Sequence, residues 1–141
     1  MIQGIGTDIV AVDRFERWAE YPVHQLKKIF TSQELDDCRF DDGKLNIQKL
    51  AVRWAAKEAF YKALSATLIS LKLNKHPFSF LSICPYVAVA AGEWGVPTLQ
   101  VDWPIIERCA GVSLPALACY LSLSHEKTMA IAFVVIESEK R

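Results

Sequence analysis

The sequence predicts an α+β fold in which helices pack against an antiparallel sheet, and three segments carry that prediction. Residues 46–64 place small and apolar side chains at helical spacing, which predicts one long central helix. Residues 116–124 and 129–137 are rich in strand-forming residues, and the polar turn between them predicts an antiparallel pair. With 141 residues and 52% hydrophobic content, we expect a single domain over residues 1–141.

The chain is predicted to open with a strand over residues 2–12. Asp13 then resembles a helix N-cap, because Glu16 follows three residues later in a capping arrangement. Pro22 is expected to end the helix that starts there.

A second capping box, TSQE at residues 31–34, predicts a short helix from about residue 32 toward residue 40. The letters DDGK at residues 41–44 break that helix. From about residue 46 the chain enters the long helix, which we expect to end near Leu64.

The remaining elements alternate between strand and helix signals. Residues 80–91 are predicted to form a strand, GEWGVP at residues 92–97 a turn, and residues 98–102 the returning antiparallel strand. Pro104 at a first helical position and Gly111 as a stop predict a short helix between them. The final strand pair completes the sheet.

Composition excludes several classes of function. Sixteen basic and sixteen acidic residues cancel, so no global field draws the protein to nucleic acid or to an anionic membrane. The apolar run at residues 129–136 is far shorter than the roughly 20 residues that span a bilayer. Residues 1–10 carry neither a basic leader nor a long apolar stretch, so we expect no secretory signal there and a cytoplasmic protein. The four cysteines lack paired or metal-ligand spacing and are expected to be reduced thiols.

The long helix carries charges opposite a stripe of small residues. The stripe is predicted to be core and consists of Val52, Ala55, Ala56, Ala59 and Ala63. The other half of the helix circumference carries Arg53, Lys57, Glu58 and Lys62, interleaved with Trp54 and Tyr61. Spacing alone leaves open that this half is an ordinary solvated face with an ion pair from Glu58 to Lys62.

Asp8 is the first sign of a site. Strand alternation in GIGTDIV places Gly4, Gly6 and Asp8 on one face, so a carboxylate lies in an apolar strand beside two glycines. It needs a cation, hydrogen-bond donors or a metal, unless it caps the following helix. His125 is expected at a strand end, where a histidine alone is more often a surface turn residue than a ligand-binding one. Few carboxylates with several cations suit Mg²⁺, which takes its remaining ligands from water and substrate phosphates.

Three motifs taken together resemble one family. GIGTDIV at residues 4–10, RWAAKEAFYKAL at residues 53–64 and LSLSHEKTMAIAFVV at residues 121–135 resemble the holo-[acyl-carrier-protein] synthases, the short 4′-phosphopantetheinyl transferases. FTSQEL at residues 30–35 and the later GVP turn match in the same order. The resemblance therefore runs through most of the chain.

The resemblance implies a reaction and its partners. Members of this family transfer the phosphopantetheine arm of coenzyme A to a serine of an apo acyl carrier protein, in fatty acid biosynthesis, and release adenosine 3′,5′-bisphosphate. The resemblance implies that Mg²⁺ is required and that the protein is a cytoplasmic homotrimer with sites at subunit interfaces.

It also implies a metal site and a catalytic base. Asp8 and Glu58 would ligate Mg²⁺ together with the pyrophosphate oxygens, and Lys62 would support the phosphates. Glu58, or a metal-bound water beside it, would accept the serine proton.

Further residues are implied in binding. Arg53, Lys57 and His125 would hold coenzyme A, including its 3′-phosphate. Arg14 would meet the acidic carrier protein, with Arg17 as a second contact.

Two other hypotheses remain open from the sequence. The chain reads SATLIS after Leu64, where family members usually have a glycine-containing turn, and the segment over residues 65–85 is unusually apolar. A non-catalytic module that binds a carrier protein or coenzyme A is therefore an alternative. A purely structural oligomer, with the charged helix forming salt bridges at its interface, is the other.

Overall fold

A computed structural model describes residues 1–73 and 77–139 of the chain. Two antiparallel sheets and one long helix dominate it. The strands are β1 (Ile2–Ala11), β2 (Val87–Ala91), β3 (Pro97–Val101), β4 (Leu117–His125) and β5 (Met129–Ser138). The α-helices are α1 (Val23–Leu26), α2 (Ser32–Asp37), α3 (Ile47–Ser70), α4 (Phe80–Ile83) and α5 (Trp103–Ala110), and 3₁₀ turns cover Val12–Phe15, Arg17–Glu20, Cys84–Tyr86 and Glu93–Gly95. The predicted α+β class is confirmed.

The three-stranded sheet has the order β1-β5-β4, with both pairs antiparallel. Its inner face packs on α3, where Ala130, Ala132 and Val134 of β5 are buried against the helix layer. The predicted stripe of small residues on α3 is buried too. This packing confirms the alternation expected for β1, because Gly4 and Gly6 face the helix and Ile5 and Ile9 face outward.

The second sheet is the predicted hairpin of β2 and β3. Its first half differs from the prediction, because residues 80–86 are helical rather than extended. Ser79 and Ser82 form a reciprocal capping box, and Pro85 lies within the 3₁₀ turn that follows. These local hydrogen bonds override the strand propensity of the apolar letters.

Two helix predictions need correction. Helix α3 continues to Ser70 rather than ending near Leu64, because Thr67 and Leu68 remain buried and no glycine interrupts the turn. Asp13 caps no helix, since Ala11 occupies the N-cap position of a 3₁₀ turn without a side-chain cap. Val12 and Phe15 are both buried there, and a three-residue repeat places them on one side.

Other predicted signals are confirmed. Thr31 and Glu34 form the expected capping box of α2, and Asp102 caps α5. Gly111 ends α5 with a φ of 66°, a left-handed conformation that favours glycine. None of the helices within residues 1–73 and 77–139 is long and apolar enough to cross a membrane.

Candidate active site

Strand β1 and helix α3 meet backbone to backbone, and two glycines make this possible. A Cβ atom at Gly6 would lie 1.9 Å from the carbonyl oxygen of Ala59, and one at Gly4 would lie 2.1 Å from that of Ala63. Both distances are far inside van der Waals contact, so glycine alone fits. The absence of side chains at Gly4 and Gly6 therefore lets α3 approach β1 closely. Asp8, two residues after Gly6 on the same face of β1, lies beside the helix.

Lys62 of α3 binds the Asp8 carboxylate. Its Nζ lies 2.9 Å from Asp8 Oδ1, and it also donates to the Thr7 carbonyl at 2.9 Å. The Asp8 side chain is 16% exposed and that of Lys62 is 50% exposed, so the pair lies at the molecular surface. Because the ammonium is directed toward β1, the alternative ion pair between Glu58 and Lys62 is not formed among the described residues.

Glu58 lies one turn before Lys62 on the same helix. Its half-buried carboxylate has no hydrogen bond or ion pair within the described ranges. Burial raises the pKa of the Glu58 carboxyl and the Asp8 charge raises it further, whereas Lys62 and Arg14 act in the opposite direction. Asp8, Glu58 and Lys62 are called the carboxylate site below.

The donor set of the carboxylate site suits a hard divalent cation. Two carboxylates that repel each other, one of them without a donor, gain from a cation placed between them. Within the part of the chain that the structure describes, no group of three or more His, Cys, Asp or Glu side chains comes together. The remaining coordination positions would thus fall to water and ligand oxygens, as Mg²⁺ prefers.

Arg14 reaches the edge of this site from the 3₁₀ turn that follows β1. Its guanidinium carbon lies 5.2 Å from the centroid of the Trp54 ring, and Trp54 precedes Glu58 by one helical turn. Arg17 is exposed on the next 3₁₀ turn. Both predicted carrier-binding residues are therefore accessible, and Arg14 lies nearer to the carboxylate site.

A separate cavity of about 310 Å³ is lined by other basic side chains. Arg53 and His125 both line it, together with Lys49. One Arg53 nitrogen lies 4.0 Å from Asp37 and another donates to the Lys49 carbonyl, whereas its buried Nε has no partner in the described part of the chain. The structure thus brings together two of the residues predicted to hold coenzyme A.

Lys49 is a residue of this cavity that the sequence prediction missed. It precedes Arg53 by four positions on α3, and residues so spaced share a helix face. This four-residue spacing from Arg53 is the sequence feature from which Lys49 could have been predicted. The hairpin of β2 and β3 forms the opposite wall, through Val89–Ala91, Gly95 and Pro97.

Lys57 lies on the predicted charged half of the helix but is buried. Its side chain is 1% exposed, and its Nζ lies 2.8 Å from Glu34 Oε1. It also donates to the backbone carbonyls of Cys84 and Val87. Lys57, which the resemblance implied would hold coenzyme A, thus has its ammonium paired inside the protein.

The carboxylate site and the cavity lie on different faces of α3. Arg53 and Glu58 are five positions apart, which corresponds to about 140° around a helix. The cavity lining contains neither of the two carboxylates nor Lys62. One copy of the chain thus presents Asp8, Glu58 and Lys62 in one group and Arg53 and His125 in another.

A protein-family model matches the part of the chain that contains the carboxylate site. The model describes the 4′-phosphopantetheinyl transferase superfamily, and it matches residues 4–95, which contain the whole carboxylate site. The chain belongs to the 4′-phosphopantetheinyl transferase superfamily. The resemblance stated from the motifs is therefore confirmed.

Curated relatives in this superfamily match over nearly the full chain. The holo-[acyl-carrier-protein] synthase of Treponema pallidum (strain Nichols) is 34% identical over 139 residues, covering 99% of this chain and 98% of that protein. The Treponema denticola holo-[acyl-carrier-protein] synthase is 38% identical over 144 residues, covering 97% and 99%.

Solved phosphopantetheinyl transferase structures share the fold. The holo-[acyl-carrier-protein] synthase from Neisseria meningitidis is 30% identical with a TM-score of 0.68, covering 98% of this chain and 100% of that one. The Bacillus anthracis enzyme, in complex with CoA (3′,5′-ADP), is 27% identical with a TM-score of 0.65, covering 99% of both chains.

Proposed function

We propose that this protein transfers the 4′-phosphopantetheine group of coenzyme A to a serine of an apo acyl carrier protein in a Mg²⁺-dependent reaction. The products are the holo carrier protein and adenosine 3′,5′-bisphosphate. The observation that carries the proposal is the carboxylate site itself, in which Asp8 and Glu58 converge beside Lys62 inside the segment matched by the family model. We place the reaction in the cytoplasm and in fatty acid biosynthesis.

The proposed reaction requires the protein to position the reacting groups and to neutralise the charge of the diphosphate. The serine hydroxyl loses its proton, its oxygen bonds to the phosphorus of the pantetheine phosphate, and the diphosphate P–O bond to the nucleotide breaks. Asp8 and Glu58 would hold Mg²⁺, which supplies charge neutralisation at the diphosphate when bound. Lys62 is exposed enough to donate to a phosphate oxygen while it still borders Asp8.

Glu58 is our candidate for the group that accepts the serine proton. Its carboxylate has no hydrogen-bond donor among the described residues, and it lies beside Asp8 and Lys62. A water molecule held beside Glu58 serves the same purpose if the carboxylate itself is too far from the serine. In both cases Glu58 directs where the proton goes.

The cavity with Lys49, Arg53 and His125 is our proposed site for the phosphorylated nucleotide of coenzyme A. Three basic side chains lining one cavity suit an anion such as the 3′-phosphate. The unpartnered Nε of Arg53 supports an anionic ligand there. Lys57 is left out of this proposed set because its ammonium is buried against Glu34.

The two separated groups of residues support a homotrimer with composite sites. Neither group alone offers both a metal pair and a nucleotide pocket, so a second copy would supply the missing half. The outer face of the three-stranded sheet supports association, because it exposes aligned apolar side chains to solvent. They include Ile5 (51% exposed), Ile9 (62%), Tyr120 (54%), Ile131 (42%) and Phe133 (44%).

The decisive experiment is mass spectrometry of an apo acyl carrier protein after incubation with this protein, coenzyme A and Mg²⁺. The proposal predicts a phosphopantetheine mass increase that EDTA abolishes. Asp8→Ala and Glu58→Ala should both prevent it, while Asp41→Ala, at an exposed carboxylate outside the site, should not. Binding of coenzyme A without a covalent product, across several carriers, would instead favour a non-catalytic binding module.

A further inference from the structure

Arg14 is an exposed side chain that contacts the ring of a buried tryptophan. Within residues 1–73 and 77–139 its guanidinium makes no hydrogen bond or ion pair, and the contact that it does make is with the face of the Trp54 ring. A free arginine side chain in water samples many rotamers, and fixing them costs conformational entropy. A ring contact at 5.2 Å limits that sampling before any partner arrives.

Trp54 is itself rigidly held. It is 7% exposed, and its ring centroid lies 4.9 Å from that of Phe80 and 5.2 Å from that of Trp18, both in edge-on arrangements. Phe15 packs against it as well, at 6.1 Å. The indole is therefore a fixed platform, and Arg14 rests on it at the surface.

We propose that Trp54 is a positioning residue for an acidic carrier protein: its indole holds the Arg14 guanidinium at the rim of the carboxylate site. The inference rests on the proposed function and adds a residue buried beneath the docking surface. A guanidinium stacked on a ring keeps its N–H edges free, so it can still bind a carboxylate with two parallel hydrogen bonds. Preorganisation of this kind improves affinity by lowering the entropy lost on binding.

The test is steady-state kinetics of Trp54→Phe, which keeps an aromatic ring in the core but weakens the cation–π contact. The carrier KM should rise about two- to fivefold, while the coenzyme A KM keeps its wild-type value. Trp94→Phe is the matched control, because Trp94 is fully exposed on the β2–β3 turn and has no described contact with a cation. It should leave both constants unchanged.

A double-mutant cycle with Arg14→Ala separates positioning from a packing effect. If Trp54 acts through Arg14, Trp54→Phe should have no further effect on the carrier KM once Arg14 is removed. An effect that persists in the Arg14→Ala background, or an unchanged carrier KM in Trp54→Phe, overturns the inference.

A structural measurement keeps the inference distinct from the proposed function. Nuclear magnetic resonance of the arginine side chains should show a ring-current shift for Arg14 that Trp54→Phe reduces and that Arg17 lacks. An Arg14 signal indistinguishable from that of Arg17 overturns the positioning, even if transfer occurs. Absence of transfer by the wild-type protein instead overturns the proposed function and, with it, the docking role.

Discussion

The ammonium of Lys62 and the carboxylate of Asp8 are 2.9 Å apart across the contact between α3 and β1, although the two residues are separated by more than fifty positions in the chain. This pair leaves Glu58, on the same helix face, without a cation of its own. Within the carboxylate site, Lys62 neutralises the charge of Asp8. The charge of Glu58 is left to be neutralised by a bound ligand.

Lys62→Met should therefore impair catalysis much more than folding. The ammonium is half exposed, and an ion pair of this kind contributes at most about 1 kcal/mol to stability. Loss of the proposed phosphate donor should lower the rate of phosphopantetheine transfer about 100-fold. Single-turnover transfer and urea unfolding would measure the two effects, with the exposed Lys28→Met as control. A transfer rate within twofold of wild type would contradict the role.

Glu58→Gln should stabilise the metal-free protein at neutral pH while it abolishes transfer. Burial and Asp8 raise the pKa of Glu58, so the ionised carboxylate is less favourable in the folded chain than in the unfolded one. This destabilisation is absent below the unfolded pKa and develops as pH rises through the folded value. Unfolding free energies in EDTA should show the variant's advantage at pH 7 and its disappearance in acid. Equal stability at pH 7 would contradict this reading.

Gly6→Ala should separate β1 from α3. The added Cβ would lie 1.9 Å from a main-chain oxygen, so the backbone itself must move. Overpacking of this kind typically costs about 1–3 kcal/mol, and denaturant unfolding would measure it. Transfer activity should fall in the same variant because Asp8 moves with the strand. Ser122→Ala, on the outward face of the same sheet, is the control.

Glu34 and Lys57 should behave as an interdependent buried pair. Their charged atoms are 2.8 Å apart, and each side chain is 1% exposed. Removal of one partner leaves an uncompensated buried charge, so Glu34→Gln or Lys57→Met should each cost about 3–5 kcal/mol of unfolding free energy. The combined variant should lose less than the sum of the two losses, which chemical denaturation would establish. Additive losses would show that the two side chains act separately.

One thiol of four should react quickly in the native protein. Burial raises the pKa of Cys84 and of Cys119 to about 12 and that of Cys38 to about 11, which keeps these three thiols protonated at pH 8. Cys109 is exposed. Titration with a thiol reagent should label Cys109 first and the others only after denaturation. Rapid labelling of all four without denaturant would contradict this order.

The elements that the sequence predicted correctly have strong local signals. The central helix, the β2–β3 hairpin and the last two strands follow from side-chain periodicity and turn residues. Asp8 was singled out because a carboxylate interrupts an apolar strand, whereas the role of Glu58 came from the family resemblance. The structure adds that both face one site, which depends on the glycines of β1.

The predictions that failed depend on contacts between distant segments. Lys57 was placed on the charged half of α3, but Glu34 and two backbone carbonyls enclose its ammonium. Helical spacing gives the direction of a side chain and does not say which segment packs over it. The helical start of residues 80–91 likewise depends on a serine box that competes with strand propensity. Lys49 was missed because the cavity wall that it faces comes from a hairpin some forty residues later.

The backbone contact at Gly4 and Gly6 has a consequence for the geometry of the carboxylate site. Where two elements are separated by side chains, rotamer changes can absorb a misfit of a few tenths of an ångström. Here main chain touches main chain, so the separation between β1 and α3 is a fixed dimension. Asp8 on β1 and Glu58 on α3 are therefore carried at a backbone separation that side-chain rotation cannot change.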